Sequence, residues 1–127
     1  MKALRNLKRS EKGFTLIEIM IVVLIIGILL AIAVPNFMKA RQTSRAKGCI
    51  ANMKQIFAAK EQWAMDTNAG QAGAPGWTDL KGPALYIKSP NTDALVCPGG
   101  GAYEIGDMAT DPVCDLGATV TPAHVLP

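Results

Sequence analysis

A run of 21 mainly apolar residues, Phe14 to Val34, is the feature that most constrains this chain of 127 residues. As a helix that rises about 1.5 Å per residue, the run would cover the roughly 30 Å of a bilayer core. Its single charged residue is Glu18, and an acid in hydrocarbon costs on the order of 2.5 to 3.5 kcal/mol on insertion scales. The sequence therefore predicts a membrane-spanning helix whose carboxylate needs a cationic partner.

Residues 1–13 form a basic leader ahead of this run. They contain five Lys or Arg residues and one acid, Glu11, a composition that retains a segment on the cytoplasmic side of a membrane. A cut after Gly13 would give Phe14 a new α-amino group one helical turn from Glu18, on the same chain or on a neighbouring copy. The cut would leave eight basic and nine acidic side chains, which changes the formal net charge from +3 to −1.

The residues Gly-Phe-Thr-Leu-Ile-Glu at 13–18, placed after a basic leader, resemble the signal of type IV prepilins and type II secretion pseudopilins. The resemblance implies that a membrane aspartyl peptidase cuts after Gly13 and N-methylates Phe14. It implies that Glu18 pairs with the terminal amine of an adjacent subunit. It also implies an α+β fold, in which a long N-terminal helix packs against a small antiparallel sheet, and a polymer of pilin copies built at an inner-membrane assembly platform.

Other interpretations of the N-terminal run stay open. An ordinary secretory signal would be cut after Ala33 and release a protein that starts at Val34, although its apolar region is typically about 7 to 15 residues long. An uncleaved single-pass anchor would not need Glu18, and a buried core helix would need a larger remaining chain. The alternative function is then a membrane-anchored or secreted binding module that never polymerises.

We predict four segments: the leader over 1–13, a transmembrane or filament-core helix over 14–34, an amphipathic continuation over 35–66, and a small head over 67–127. Pro35 removes the amide that would bond the carbonyl of Ala31, which predicts a kink or a short unwound segment. The continuation carries an apolar stripe at three- and four-residue spacing, which comprises Cys49, Ile50, Met53, Ile56, Phe57 and Ala64.

The head has 61 residues, too few for a large core of its own, so it needs the helix or a staple. A Gly- and Pro-rich loop is predicted over 68–76, followed by a short helix capped by Thr78. Short strands are predicted over 94–97, 102–105, 113–116 and 119–125. Four apolar residues are expected to pack on the long helix: Trp77, Leu85, Tyr86 and Ile87.

Cys97 and Cys114 each lie beside a turn, so a disulfide between them would close a hairpin and stabilise the head by about 3 kcal/mol. Cys49 lies on the apolar stripe and is expected to be a small buried hydrophobe. A zinc site from Cys97, Cys114 and His124 is the alternative, but it lacks a C-x-x-C pair and an identified fourth ligand. We therefore predict no metal and no cofactor.

Three acids near the C-terminus, Asp107, Asp111 and Asp115, raise the question of calcium, which some pseudopilins bind there. Their spacing does not match a known calcium loop, so we predict solvated turn acids. Catalysis is not expected either, because no nucleophile, base and orienting group occur as a set. The chain is expected to be a substrate of the peptidase and not an enzyme.

The basic residues of the processed chain cluster on the second half of the helix, at Lys39, Arg41, Arg45, Lys47, Lys54 and Lys60. An acidic head and a basic helix can pair within or between subunits. Nucleic acid is not favoured as a partner, because no recognised nucleic-acid fold and no aromatic interleaving are present. The expected location is the inner membrane, with the head outside the cytoplasm, and then a periplasmic or cell-surface filament. Whether that filament is a pilus, a secretion pseudopilus or a DNA-uptake pseudopilus is left open.

Overall fold

The structure is a computed structural model that describes residues 12–81, 86–87 and 95–127. The predicted leader therefore lies almost entirely outside the described residues, as do Leu85 and the first residue of the strand predicted over 94–97. The chain divides into two compact units, of which the first ends at Phe37 and the second comprises Met38–Pro127.

Helix α1 comprises Leu16–Thr67, 52 residues in all, within one or two residues of the bounds predicted at each end. It runs through Pro35 without a break, so the unwound segment predicted as one alternative at this proline is wrong. A kink at Pro35 stays a prediction. A proline inside a helix leaves one carbonyl without its amide partner, which the flanking hydrogen bonds of a long helix can tolerate.

The first unit exposes its apolar residues on every side of α1. Its large apolar side chains have exposed fractions from 49% to 84% between Phe14 and Phe37. This part of α1 is long and apolar enough to cross a membrane, and none of it is buried within the molecule. A helix that is apolar all round and unburied needs lipid or other helices around it.

The second unit has its core on one face of α1. The helix residues buried there recur at spacings of three and four, as predicted: Ala46, Cys49, Met53, Ile56, Ala59 and Lys60. Ile50 packs at the edge of this core, but Phe57 is 41% exposed, which corrects its predicted place on the buried stripe. The helix thus supplies a large share of the core of the head.

The remainder of the head is short elements joined by turns. Residues 68–76 contain no helix or strand, as predicted, and helix α2 comprises Trp77–Lys81. The residue that precedes α2 is Gly76, whose amide donates to the Asp79 carboxylate at 2.8 Å, so the cap lies two residues before the predicted Thr78. Leu80 and Ile87 are buried in the core, and Trp77 and Tyr86 pack against it.

Two antiparallel strands complete the α+β fold. Strand β1 (Tyr103–Glu104) pairs with β2 (Val113–Cys114), with Tyr103 opposite Cys114. Both members of that pair are buried, whereas Glu104 and Val113 are exposed, as the two-residue period of a strand requires. The strand predicted over 94–97 is reduced to a single bridge between Val96 and Ala102.

The segment predicted as a strand over 119–125 instead forms turns and irregular backbone. The Gly117 amide donates to the Cys114 carbonyl, and the Thr119 amide donates to the Leu116 carbonyl. These turn hydrogen bonds use groups at the end of β2 that a longer ladder would need. Alternating apolar residues were therefore an insufficient signal for a strand here.

Lys60 is the last buried residue of α1, with an exposed fraction of 1%. Its ammonium donates to three backbone carbonyls, those of Ile105 at 2.8 Å, Asp107 at 2.6 Å and Thr110 at 2.6 Å. Burial lowers the pKa of Lys60 from its ordinary value, although the nearby charge of Asp107 acts in the opposite direction. An ammonium has three donors, so the three carbonyls of this loop fully satisfy it.

We expect Lys60→Met to destabilise the head by about 3 kcal/mol, because it leaves three carbonyls in a buried site without a donor. The thermal unfolding of the full chain in detergent micelles, followed by tryptophan fluorescence, measures this. Lys54→Met is the matched control, because Lys54 is exposed on the same helix. Equal midpoints for the two variants would contradict the role assigned to Lys60.

Candidate functional site

The junction at Gly13 and Phe14 precedes the first turn of α1 and is accessible. Both residues are exposed, and the Phe14 side chain is 84% exposed. A Cβ placed on Gly13 would meet no atom within 4 Å. Because the fold leaves room for a side chain there, packing gives no reason for the glycine.

Glu18 and Thr15 form a reciprocal cap at the start of α1. The Glu18 amide donates to Thr15 Oγ1 at 3.3 Å, and Glu18 Oε2 accepts from the Thr15 amide at 3.1 Å and from its hydroxyl at 3.2 Å. This arrangement is a capping box, whose sequence signature is Ser or Thr followed three residues later by Glu or Gln. This role of Glu18 was not predicted, although Thr15-Leu16-Ile17-Glu18 matches the signature.

Glu18 lies among exposed apolar residues beyond this cap. Ile17 and Ile19 flank it and are 62% and 50% exposed. Among the described residues its carboxylate has these local hydrogen bonds and no ion pair. The positive end of the helix dipole at this terminus also favours an anion.

Gly27 lies in the middle of the exposed apolar segment. A Cβ there would meet no atom within 4 Å, so the glycine presents a small surface that is unused within one chain. Small residues on an apolar helix let a second helix approach closely. Ala31 lies four residues on, one helical turn away.

A cluster of four metal-ligating side chains lies in the head. Cys49, Cys97, Cys114 and His124 bring one ligand atom each to within 4.8 Å of one another, and all four are buried. Cys97 Sγ lies 3.1 Å from His124 Nδ1. It is the one group of three or more such side chains found among the described residues.

The cluster brings together four separate segments. Cys49 comes from α1, Cys97 from the Pro-Gly-Gly turn, Cys114 from β2 and His124 from the C-terminal segment. The three cysteines are free thiols in the structure, and the predicted Cys97–Cys114 disulfide stays a prediction. Cys49, expected to be only a buried hydrophobe, is also the fourth member that the sequence analysis did not identify.

The turn after Cys97 fits closely around the cluster. The Gly99 amide donates to Cys97 Sγ at 3.3 Å. A Cβ on Gly99 would lie 2.8 Å from the His124 ring, and one on Gly101 would lie 2.9 Å from Cys114 Sγ. Glycine is therefore required at both positions for the sulfurs and the imidazole to converge.

The surroundings of the cluster give Cys49 and Cys97 different thiol pKa values. Burial raises the pKa of Cys49 to about 12. Burial would also raise the pKa of Cys97, but hydrogen bonds from the Gly99 amide, from Cys49, from the Gly101 amide and from His124 outweigh it and lower this pKa to about 7. The cluster therefore favours a thiolate at Cys97.

The three acids near the C-terminus serve the turns. Asp107 Oδ1 accepts from the Ala109 amide at 3.1 Å and from the Thr110 hydroxyl at 2.9 Å. Asp115 Oδ1 accepts from the Ala102 amide at 2.9 Å, and Asp111 is exposed. The cation held by the 105–110 loop is the Lys60 ammonium. Lys60 was predicted to belong with the other basic residues on the second half of the helix. Because it is buried, it is not part of an exposed basic surface.

Comparison with known proteins gives a consistent set of relatives. The family described as a prokaryotic N-terminal methylation motif matches residues 8–34. Competence protein ComGC of Bacillus subtilis is 42% identical over 91 residues, which are 72% of this chain and 85% of that protein. Type IV major fimbrial protein FimA of Dichelobacter nodosus is 35% identical over 106 residues, 84% of this chain and 60% of that protein.

A secretion protein also matches. Type II secretion system core protein G of Pseudomonas aeruginosa is 40% identical over 62 residues, which are 49% of this chain and 44% of that protein. No solved structure matches the chain. The match to ComGC extends over most of both chains.

Thr15→Val removes the hydroxyl of the capping box and should cost about 1 kcal/mol of helix stability at this end. We expect amide hydrogen exchange at Glu18 and Ile19 to accelerate about fivefold, because both amides bond to Thr15 in the structure. Thr43→Val in the middle of α1 is the control and should leave these two amides unchanged. Unaltered exchange in Thr15→Val would mean that the cap contributes nothing.

Proposed function

The chain belongs to the family of type IV pilins and pseudopilins, and we propose that it is a structural subunit of a pilin-like filament that prepilin peptidase cuts after Gly13 and N-methylates at Phe14. The observation that carries the proposal is the apolar segment of α1, which is exposed on all sides and contains a single carboxylate at its start. A bilayer can surround such a helix before assembly, and other copies of the helix can surround it afterwards.

The exposed junction supports processing at Gly13. A cut there removes the basic leader and creates an α-amino group on Phe14. Thr15 already caps the first turn of α1 together with Glu18, so the new cation would form close to the Glu18 carboxylate. An adjacent subunit that is shifted along the filament axis would offer its own terminal amine to Glu18 in the same way.

Assembly then exchanges lipid contacts for helix contacts. Lipid tails are as apolar as the helix, so the driving force comes from close packing and from polar pairs. Gly27 offers the close approach, and Glu18 offers the polar pair. Because an unpaired acid in hydrocarbon costs on the order of 2.5 to 3.5 kcal/mol, a pairing that satisfies Glu18 between subunits also sets their stagger.

The proposed topology is single-pass. The basic leader stays on the cytoplasmic side, and the head lies outside the cytoplasm, first at the inner membrane and then on a periplasmic or cell-surface filament. The partners are the peptidase, an inner-membrane assembly platform and other pilin copies. In this scheme the chain is a substrate and a building block and not a catalyst.

The extent of the matches favours a competence pseudopilus as the particular filament. The chain aligns with 85% of ComGC, with 60% of the fimbrial protein and with 44% of the secretion protein. These are shares of each relative's own length, so ComGC is the one of these three whose length this chain most nearly spans. A deletion strain would lose transformation if this assignment holds, and it would keep transformation but lose secretion or surface pili if it does not.

Gly13→Val should block processing, because the peptidase needs access to the backbone at this position. Intact mass and N-terminal sequence of the membrane protein measure the outcome: we expect the uncut precursor, against N-methylated Phe14 in the wild type. Gly27→Val is the matched control, because a side chain at either glycine meets open space. A wild-type protein that begins at Val34 or at Met1 would overturn the proposal.

Glu18→Gln should abolish assembly without changing processing. The amide keeps the shape of the side chain but lacks the charge that attracts the terminal amine, so we expect filaments in sheared fractions to fall at least about tenfold. Glu61→Gln, an exposed acid on the same helix, should leave filament yield unchanged. Normal filaments in Glu18→Gln would refute the pairing.

A further inference from the structure

We propose that the head is a metal-binding module in which Cys49, Cys97, Cys114 and His124 hold one zinc ion. The proposal concerns the head alone and goes beyond the filament function. Three thiolates and one imidazole are a donor set of structural zinc sites, which are almost always four-coordinate and tetrahedral. It is also the full set of cysteine and histidine side chains in the sequence.

The distances fit a single ion. With Zn–S bonds of about 2.3 Å and a Zn–N bond of about 2.0 Å, the ligand atoms of a tetrahedral site lie roughly 3.5 to 3.8 Å apart. The four ligand atoms here lie within 4.8 Å of one another, and the separation between Cys97 Sγ and His124 Nδ1 is 3.1 Å. To complete the tetrahedron, the longest separation would have to shorten by up to about 1 Å and the Cys97–His124 separation would have to widen by about 0.4 Å.

The second reason is the place of the cluster in the fold. Its four ligands join α1, the turn at Cys97, β2 and the C-terminal segment. Strands of two residues each contribute little by themselves, and small domains commonly depend on a metal or a disulfide. One ion at this point would tie the turn at Cys97, strand β2 and the C-terminal segment to α1.

The surroundings of the sulfurs provide the further contacts that thiolate ligands need. The Gly99 amide already donates to Cys97 Sγ, and donors of this kind orient and stabilise first ligands of metal sites. The His124 amide donates to the Gly117 carbonyl at 2.7 Å, which fixes the backbone that carries the imidazole. His124 also lines a cleft with Gln42 and Arg45.

A disulfide explains less of this arrangement. A bridge between Cys97 and Cys114 would use two of the four groups and leave Cys49 and His124 without a purpose in the core. It would also leave one odd thiol beside a disulfide, a combination that invites exchange. A zinc ion uses all four groups, and bound thiolates are held away from oxidation in the space outside the cytoplasm.

The test uses the full chain in detergent micelles, reduced and then supplied with zinc or cobalt. We expect one ion per chain with a dissociation constant of about 1 nM or tighter, and cobalt absorption typical of tetrahedral thiolate coordination. Zinc should raise the unfolding midpoint by about 10 °C or more when it is in large excess over the dissociation constant. Asp111→Asn, an exposed neighbour outside the cluster, should bind zinc like the wild type.

Variants identify the ligands. Cys49→Ser should weaken zinc binding at least about tenfold, and His124→Cys should retain binding with a shifted cobalt spectrum, because it keeps four ligands. If Cys49→Ser does not fold, the unfolding midpoint of the zinc-loaded wild-type chain, measured with and without a chelator, decides the question. The proposal is overturned if the reduced, folded wild type binds no zinc, if Cys49→Ser binds it normally, or if the native protein carries a Cys97–Cys114 disulfide without metal.

Discussion

The head of this protein depends on packing against one face of α1. Cys49, Met53 and Ile56 are fully buried there, and the two short strands and α2 supply only a few residues each. A head of this size cannot bury enough apolar surface by itself. The helix is therefore both the anchor of the chain in its N-terminal part and the main core element of the head in its C-terminal part.

These two roles explain why apolar residues are distributed differently around the two parts of the helix. Residues around Gly27 are apolar in every direction, which suits a helix surrounded by lipid or by other helices. Residues from Ala46 onward are apolar on one face and polar on the other, because one face packs on the head and the other meets water. The sequence changes character near Pro35 although the helix does not break there.

Local patterns in the sequence were enough to predict the elements that depend on local physics. The apolar run and the spacing of Met53 and Ile56 predicted α1 and its buried face, because helical periodicity is written in neighbouring residues. The strands were harder to predict, since glycines and prolines between 98 and 112 limit each strand to two residues. Turn hydrogen bonds that begin at Cys114 then replace the predicted last strand.

Two residues carry roles that a linear pattern hides. Lys60 was grouped with exposed basic residues because of its charge, although the spacing from Met53 and Ile56 places it next on the buried face. Cys49 was expected to be a small buried hydrophobe because it lies on the apolar stripe, whereas the two cysteines that approach it are 48 and 65 residues further along the sequence. Lys60 is satisfied because the 105–110 loop packs against it, and Cys49 joins a cluster because Cys97, Cys114 and His124 pack against it. Local sequence patterns do not predict such long-range contacts.

The thiol cluster and the three carbonyls that bind the Lys60 ammonium contact the same face of α1 at two positions along the helix. Cys49 and Lys60 are 11 residues apart, which is three helical turns and roughly 16 Å along the axis. An apolar interface alone resists separation but permits sliding, because apolar contacts are weakly directional. The Lys60 ammonium on three carbonyls and the Cys49 thiol within the cluster are polar contacts at these two positions that oppose such sliding. A subunit that must present the same surface in every copy of a filament requires a fixed register of the head on the helix.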